Sequence, residues 1–197
     1  MRLLVISDTH ENVRVLDALQ DVIGKLKPEV VIHCGDFISP IIIRRLLRLD
    51  VDIQGVFGNN DGDVDTISRL VKGSRILIES QPKEIEINGE RALVLHGWKS
   101  VELTRRMVKS LALGGDYRYI FYGHTHNVEL SIIKNRNYQV LQDGYSEDTS
   151  YKFKVDEFDS LVLNPGEASG ILTGISTYAS LEVTRDYVLV EIKRLEV

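Results

Sequence analysis

Three short apolar runs alternate with amphipathic segments in the N-terminal half of the chain, and each run breaks off in Gly, Asp, Asn or His. RLLVIS (Arg2–Ser7) leads into DTHEN, EVVIHCG (Glu29–Gly35) into Asp36, and VDIQGVFG (Val51–Gly58) into Asn59, Asn60 and Asp61. Apolar runs of this length, bounded by turn residues, read as buried strands. Between them Val15, Leu16, Leu19, Val22, Ile23 and Leu26 recur at helical spacing behind Asn12, a predicted N-cap. Ser39–Pro40, an N-cap with proline at the first helical position, precedes a second helix through Ile43, Leu46 and Leu47. Ile67, Leu70 and Val71 predict a third, ending near Gly73. Strands alternating with helices imply βαβ units and a largely parallel sheet covered on both faces.

The second half changes character. EIEINGERALVLHG reads as a hairpin turning at Asn88–Gly89. A helix carrying Leu103, Met107, Val108 and Leu111 leads to the strand YIFYGH, and ELSIIK, SLVLN, YASLEV and VLVEIK are strand-like. The expectation is an α/β sandwich, with a mixed central region and antiparallel strands behind it, in one domain over residues 1–197. There is no linker, low-complexity tract or internal repeat. The stretch from about 136 to 160 is polar yet carries Tyr138, Tyr145, Tyr151, Phe153 and Phe158. Disordered segments have few aromatics, so this one is expected to be an inserted hairpin or lid. Aromatic anchors are enriched at interfaces, so it is expected to pack on a partner subunit, making a homo-oligomer, or to cover the mouth of the site.

Composition excludes several classes. A formal charge of −5 gives no general nucleic-acid or membrane footprint, although bound metal ions would add a local positive field. Cys34 is the only cysteine, so there is no intrachain disulfide and no thiolate cluster for structural zinc. The apolar run after Met1–Arg2 is too short for a signal peptide, and no run approaches the roughly 20 residues that span a bilayer. The default expectation is a soluble cytoplasmic protein.

The polar residues that end the strands carry the chemistry. They are Asp8, Thr9 and His10; Gly35 and Asp36; Gly58, Asn59, Asn60 and Asp61; His96 and Gly97; and His124, Thr125 and His126. In α/β sheets the carboxyl ends of the strands line the binding crevice, so these distant residues should converge. Singly, each has another reading: Asp8 as a helix cap, Asp36 as loop chemistry, Asn59 as a turn residue. Jointly they supply Asp, His and Asn without a thiolate, which suits Mn²⁺, Fe²⁺, Ni²⁺, Co²⁺ or Zn²⁺. Seven ligand side chains are too many for one ion and suit two that share a carboxylate. His33, inside VVIHC, reads as a core residue. So does Cys34, which has no basic neighbour to make it a nucleophile. Asn164–Pro165–Gly166 reads as a structural turn.

The set Asp8-x-His10, Gly35-Asp36, Gly58-Asn59-x-Asp61, His96-Gly97 and Gly123-His124-x-His126 resembles the motifs of the calcineurin-like metallophosphoesterases. The short length and the tail NPGEASGILTG resemble their small YfcE-like phosphodiesterase subfamily. The resemblance implies a two-layer β-sandwich flanked by helices. It implies Asp8, His10, Asp36 and His126 around one metal, and Asp36 (bridging), Asn59, His96 and His124 around the other. The implied reaction is hydrolysis of a P–O bond by in-line attack of a metal-bridging hydroxide, without a protein nucleophile. Two divalent ions bring four positive charges and the two aspartates offset half of them, leaving a field that binds phosphate oxygens. Many family members have histidine where this chain has Asn60, which is expected to contact the substrate as a hydrogen-bond donor that transfers no proton. Asp61 is expected behind the ligands, orienting a histidine. A small phosphodiester, with one negative charge, suits a site with few basic clamps. The alternatives are a phosphomonoesterase and a metal-binding interaction scaffold, since a retromer subunit shares this fold.

Overall fold

The computed structural model describes residues 1–197. Its first half runs β1 (Arg2–Ile6), α1 (Val13–Leu26), β2 (Val30–His33), α2 (Pro40–Leu46), β3 (Asp52–Val56), α3 (Val64–Val71) and β4 (Ile76–Glu79). The four strands pair in parallel in chain order. The Asn12 side chain accepts from the Arg14 N–H and so caps α1 as expected, while Asp63 accepts from the Thr66 N–H and caps α3. β4 was not anticipated. It is four residues long, with Ile76 and Ile78 buried and Leu77 facing water, too short for its alternation to stand out beside the α3 pattern.

The second half runs β5 (Lys83–Ile87), β6 (Glu90–Val94), α4 (Val101–Gly114), β7 (Tyr119–Phe121), β8 (Val128–Lys134), β9 (Asn137–Asp143), β10 (Thr149–Lys154), β11 (Ser160–Pro165), β12 (Thr177–Val183) and β13 (Tyr187–Arg194). The β5–β6 hairpin turns on Asn88 (φ 51°) and Gly89 (φ 86°), the two positive angles that a type I′ turn requires. One sheet has the order β10–β13–β12–β1–β2–β3–β4 and the other β5–β6–β7–β11–β8–β9.

The layers follow from strand alternation. Leu3, Val5 and Ile32 point between the sheets, where they meet Val94, Phe121, Leu161 and Leu163. Leu4, Ile6, Val31 and Ile53 point the other way, onto Leu16, Leu19, Ile43 and Ile67 of the first three helices. Across the sandwich, Leu93, Ile120 and Val162 receive Val108 and Ala112 of α4. The result is the expected two-layer β-sandwich flanked by helices. No helix is long and apolar enough to cross a membrane.

The segment from 136 to 160 is neither an inserted hairpin nor a lid. β9 pairs with β8 at the edge of one sheet, and β10 pairs with β13 at the edge of the other. The chain crosses from layer to layer between them. Phe153 and Phe158 lie in the core between the sheets, Tyr145 and Tyr151 pack against it, and Tyr138 packs on the α4 side. The segment reads as polar because an edge strand has one wet face: Tyr151 and Phe153 turn inward while Ser150, Lys152 and Lys154 face water.

Candidate metal centre

The loops that leave β1, β2, β3, β6 and β7 meet at one end of the sandwich. Five of the seven expected ligands have a left-handed backbone: Asp8 (φ 53°), His10 (45°), Asp36 (59°), His124 (68°) and His126 (57°). Non-glycine residues seldom occupy this region, at a cost on the order of 1–3 kcal/mol each, and such strain clusters at functional sites. Loop-to-loop bonds hold them: Asp8 N–H to Gly35 O at 3.0 Å, His10 N–H to Asp36 O at 3.1 Å, and Gly123 N–H to His96 O at 3.1 Å. A Cβ on Gly58 would collide with the Asp36 carboxylate, and one on Gly123 with Ser7 Oγ. The approach of the loops therefore requires glycine at both positions.

Asp8, His10 and His126 form one cluster. Nε2 of His10 and of His126 lie 3.9 and 3.6 Å from Asp8 Oδ1. The other Asp8 oxygen accepts from Ser7 Oγ at 2.5 Å and from the His124 N–H at 3.2 Å. Asp8 Oδ1 and His10 Nε2 are both buried with no hydrogen-bond partner. The Glu167 carboxylate lies 3.0 Å from His126 Nδ1, so Nδ1 carries the proton and Nε2 presents a lone pair inward.

Asp36, Asn59, His96 and His124 form the other. His96 Nε2 lies 3.4 Å from Asp36 Oδ1 and 3.0 Å from Asn59 Oδ1, and His124 Nδ1 lies 2.7 Å from the same Asn59 oxygen. The outer nitrogens face carbonyls, His96 Nδ1 that of Cys34 at 2.8 Å and His124 Nε2 that of Lys99 at 3.3 Å. A carbonyl only accepts, so the outer nitrogens carry the protons and the inner ones point lone pairs at oxygen lone pairs. Such an array is repulsive unless a cation lies within it. Asp8, Asp36 and His96 also bring ligand atoms within 4.8 Å of one another, which sets the two carboxylates between the clusters. The sequence-predicted ligands thus come together, and their donor types and orphaned atoms fit divalent ions.

The titration behaviour agrees. Burial pushes the Asp8 carboxyl up. Burial also acts upward on Asp36, but hydrogen bonds from His96 and Asn60 outweigh it and hold that carboxyl well below its usual range. Burial acts downward on His96 and His126, yet Asp36 and Asp8 raise the first, and Glu167 and Asp8 raise the second. His124, facing His96, is lowered by burial and by that neighbour. The two aspartates thus favour positive charge on His96 and His126.

Other expected residues fall as follows. Asn60 is solvent-exposed; its backbone N–H and Nδ2 donate to the two Asp36 oxygens at 2.9 and 2.6 Å. Asp61 orients no histidine; its carboxylate accepts the backbone N–H groups of Asp36, Ile38 and Gly58 and pins the loops after β2 and β3 together. His33 is a satisfied core residue, bonded to Thr9 Oγ1 and stacked on Phe37, and Cys34 is buried. Asn164 braces the histidine loop through Gly123 O and Thr125 Oγ1. Sequence reasoning missed Glu167 and Gln81, whose amide oxygen accepts from the N–H groups of His96 and Gly97. A lone acid in the neutral stretch NPGEASG was the available signal for Glu167; Gln81 had none.

A family model described as the calcineurin-like phosphoesterase superfamily domain matches residues 1–186. The phosphodiesterase MJ0936 of Methanocaldococcus jannaschii is 30% identical over 186 residues, covering 94% of this chain and 95% of that one. Among solved structures, a novel archaeal phosphodiesterase superposes with a TM-score of 0.71 at 27% identity, over 97% of this chain and 99% of that chain. Zinc-complexed Vps29 from Entamoeba histolytica, 19% identical over 98% of each chain with a TM-score of 0.60, shares the fold.

Proposed function

This chain belongs to the calcineurin-like phosphoesterase superfamily of metal-dependent hydrolases, and from that premise we propose that it is a phosphodiesterase working with two divalent ions. The observation that carries the reading is Asn59 Oδ1, met by inward-facing nitrogens of both His96 and His124. Beside it the orphaned Asp8 Oδ1 and His10 Nε2 mark a second focus. Asp8, His10, His126 and Asp36 would hold one ion, and Asp36, Asn59, His96 and His124 the other. Bound ions supply Lewis acidity for the phosphate oxygens and acidify water for in-line attack.

The chain's own residues set the selectivity. Asn59 is a neutral ligand, so only Asp8 and Asp36 offset the ions and the site keeps an attraction for phosphate. Asn60 is exposed beside Asp36, to which its backbone N–H and one hydrogen of its NH₂ are committed; it keeps the second NH₂ hydrogen for a substrate and has no titratable proton. General acid catalysis is worth about 10²–10⁴-fold for a poor leaving group, so substrates whose alcohol leaves readily as an anion are favoured. Similarity in sequence and in structure to archaeal phosphodiesterase supports a diester over a monoester.

The test combines metal analysis with turnover of bis-p-nitrophenyl phosphate and p-nitrophenyl phosphate. Two ions per chain and faster turnover of the diester are expected. Chelation and Asp36→Ala should each abolish turnover, and Mn²⁺ should reverse only the chelation. Full turnover in metal-free protein, or a preference for the monoester, overturns the reading.

A further inference from the structure

Glu167 is fully buried and has two separate duties. Its Oε2 accepts from His126 Nδ1 at 3.0 Å and from Ser169 Oγ at 2.9 Å. Its Oε1 accepts from the Leu172 N–H at 2.9 Å, from Thr173 Oγ1 at 2.7 Å and from the Thr173 N–H. One carboxylate therefore joins an expected metal-ligand histidine to the turn 170–174. That turn is closed by Gly174 N–H to Gly170 O at 3.1 Å, and both glycines have positive φ. The segment leading into it is tied to the same cluster, since the Ser169 N–H donates to Asp8 O and Asn12 Nδ2 to Ser169 O.

The turn displays two adjacent apolar side chains to water, Ile171 at 61% and Leu172 at 70% exposure, the latter the most exposed large hydrophobic residue of the chain. Single exposed apolar residues are ordinary. Here the Leu172 N–H is held by Glu167 and the Ile171 N–H by Ser169 Oγ, which itself donates to Glu167, so the two neighbours share a backbone tied through that carboxylate to His126 and form a preorganised apolar surface. A phosphodiester bound at the centre carries a second ester group that must lie against some part of the rim. We propose that Ile171 and Leu172 form a specificity lip for an apolar or aromatic ester group of the substrate, and that Glu167 is the positioning residue that fixes this lip relative to His126. The proposal rests on the phosphodiesterase reading only for its natural ligand.

Glu167 receives donors alone, so Glu167→Gln is informative. An amide NH₂ turned toward His126 forces Nδ1 to accept and moves the ring proton to Nε2, which blocks that nitrogen as a ligand. Turned the other way, it faces the N–H groups of Leu172 and Thr173 and frees the turn.

The experiment titrates phenylphosphonate and methylphosphonate into manganese-loaded protein, so that binding is read without turnover. Wild type should prefer the phenyl ligand by about tenfold, in the range expected for an apolar contact. The I171S/L172S variant should lose that preference, with manganese content at the wild-type value and methylphosphonate affinity within about threefold of it. Glu167→Gln should lower both the preference and the manganese content. A wild-type preference retained in I171S/L172S, or a Glu167→Gln protein with full manganese content and full preference, overturns the proposal. A lip-dependent preference in a protein that cleaves no diester overturns the phosphodiesterase reading and leaves the lip standing.

Discussion

Asn59 and Asn60 are adjacent and both exposed, yet their amides face opposite demands. Asn59 offers its oxygen to two histidines, whereas Asn60 uses its NH₂ on Asp36. The sequence motif singled out the first role because Asn, Asp and His recur at strand ends. What holds the histidines could not be read in the same way. Two of the three outer acceptors are main-chain carbonyls, of Cys34 and Lys99, and a carbonyl has the same identity at every position. Asp61 shows the same limit, since it grips backbone N–H groups rather than a ring. Asp61→Ala would leave the amides of Asp36, Ile38 and Gly58 without that acceptor, at about 1–3 kcal/mol for each one left buried and unpaired. The expected outcome is a lowered urea midpoint together with weaker Mn²⁺ binding, although Asp61 touches none of the site histidines. Calorimetric titration of a folded variant checks the second effect, and wild-type affinity there would confine Asp61 to stability.

Elements with two buried faces or a clear helical stripe were legible, and β1, β2, β3, α1 and α4 lie where periodicity places them. β9 and β10 were not: β9 pairs with the adjacent β8 but has no fully buried residue to mark a core-facing alternation, and the partner of β10 is distant in the chain, since β13 begins at Tyr187. The buried Phe158, edge-on to Tyr119 and Phe153 and covered by the Arg118 guanidinium, makes the difference testable. Phe158→Ala should destabilise the protein by about 3–5 kcal/mol in chemical denaturation. A change in sedimentation without loss of stability would restore the partner-contact expectation. A second element-scale prediction comes from Glu129 on β8. It accepts from Tyr122 Oη at 2.6 Å, Tyr138 Oη at 2.5 Å and Ser131 Oγ at 2.9 Å, and so ties β7, β8 and β9 beneath α4. Burial first, and then the Glu129 charge, push both phenols above their ordinary value. A raised folded value means stability that is present below the unfolded phenol value near 10 and lost as pH rises, at about 1.4 kcal/mol per pH unit for each tyrosine. Urea midpoints should show little change from these tyrosines between pH 8 and about 10, and above it should fall more steeply in wild type than in Y122F/Y138F. The double variant should also start lower at pH 8, since it strips two donors from a buried carboxylate.

At the scale of the whole molecule, thirteen strands and four helices hold five of the expected metal ligands in strained backbone at one end of the sandwich. Without ions that end is in conflict with the rest of the fold: Asp8 is fully buried, its carboxyl is pushed up by burial, and its Oδ1 has no partner. Asp8→Asn tests whether the fold maintains this conflict for the sake of the ions. The new amide oxygen can take over the bonds from Ser7 Oγ and the His124 N–H, while its NH₂ faces His126 Nε2, 3.6 Å away in the wild type. In metal-free protein at pH 7 the variant should therefore be more stable than wild type, by on the order of 1–3 kcal/mol. The sign with pH follows from the raised carboxyl. Wild type binds a proton at Asp8 more readily folded than unfolded, so stability is present below the unfolded value and lost as pH rises through the folded one. The gap between variant and wild type should accordingly close as pH falls toward 4. Ions reverse the order, because anything that binds only the folded state stabilises it by about 2.7 kcal/mol at a hundredfold excess over Kd, and the variant lacks a charged ligand. Melting of both proteins with chelator and with saturating Mn²⁺ should give curves that exchange rank. If Asp8→Asn is the less stable in chelator as well, Asp8 is a structural residue first, and the conflict at this end of the fold is resolved by something other than a bound ion.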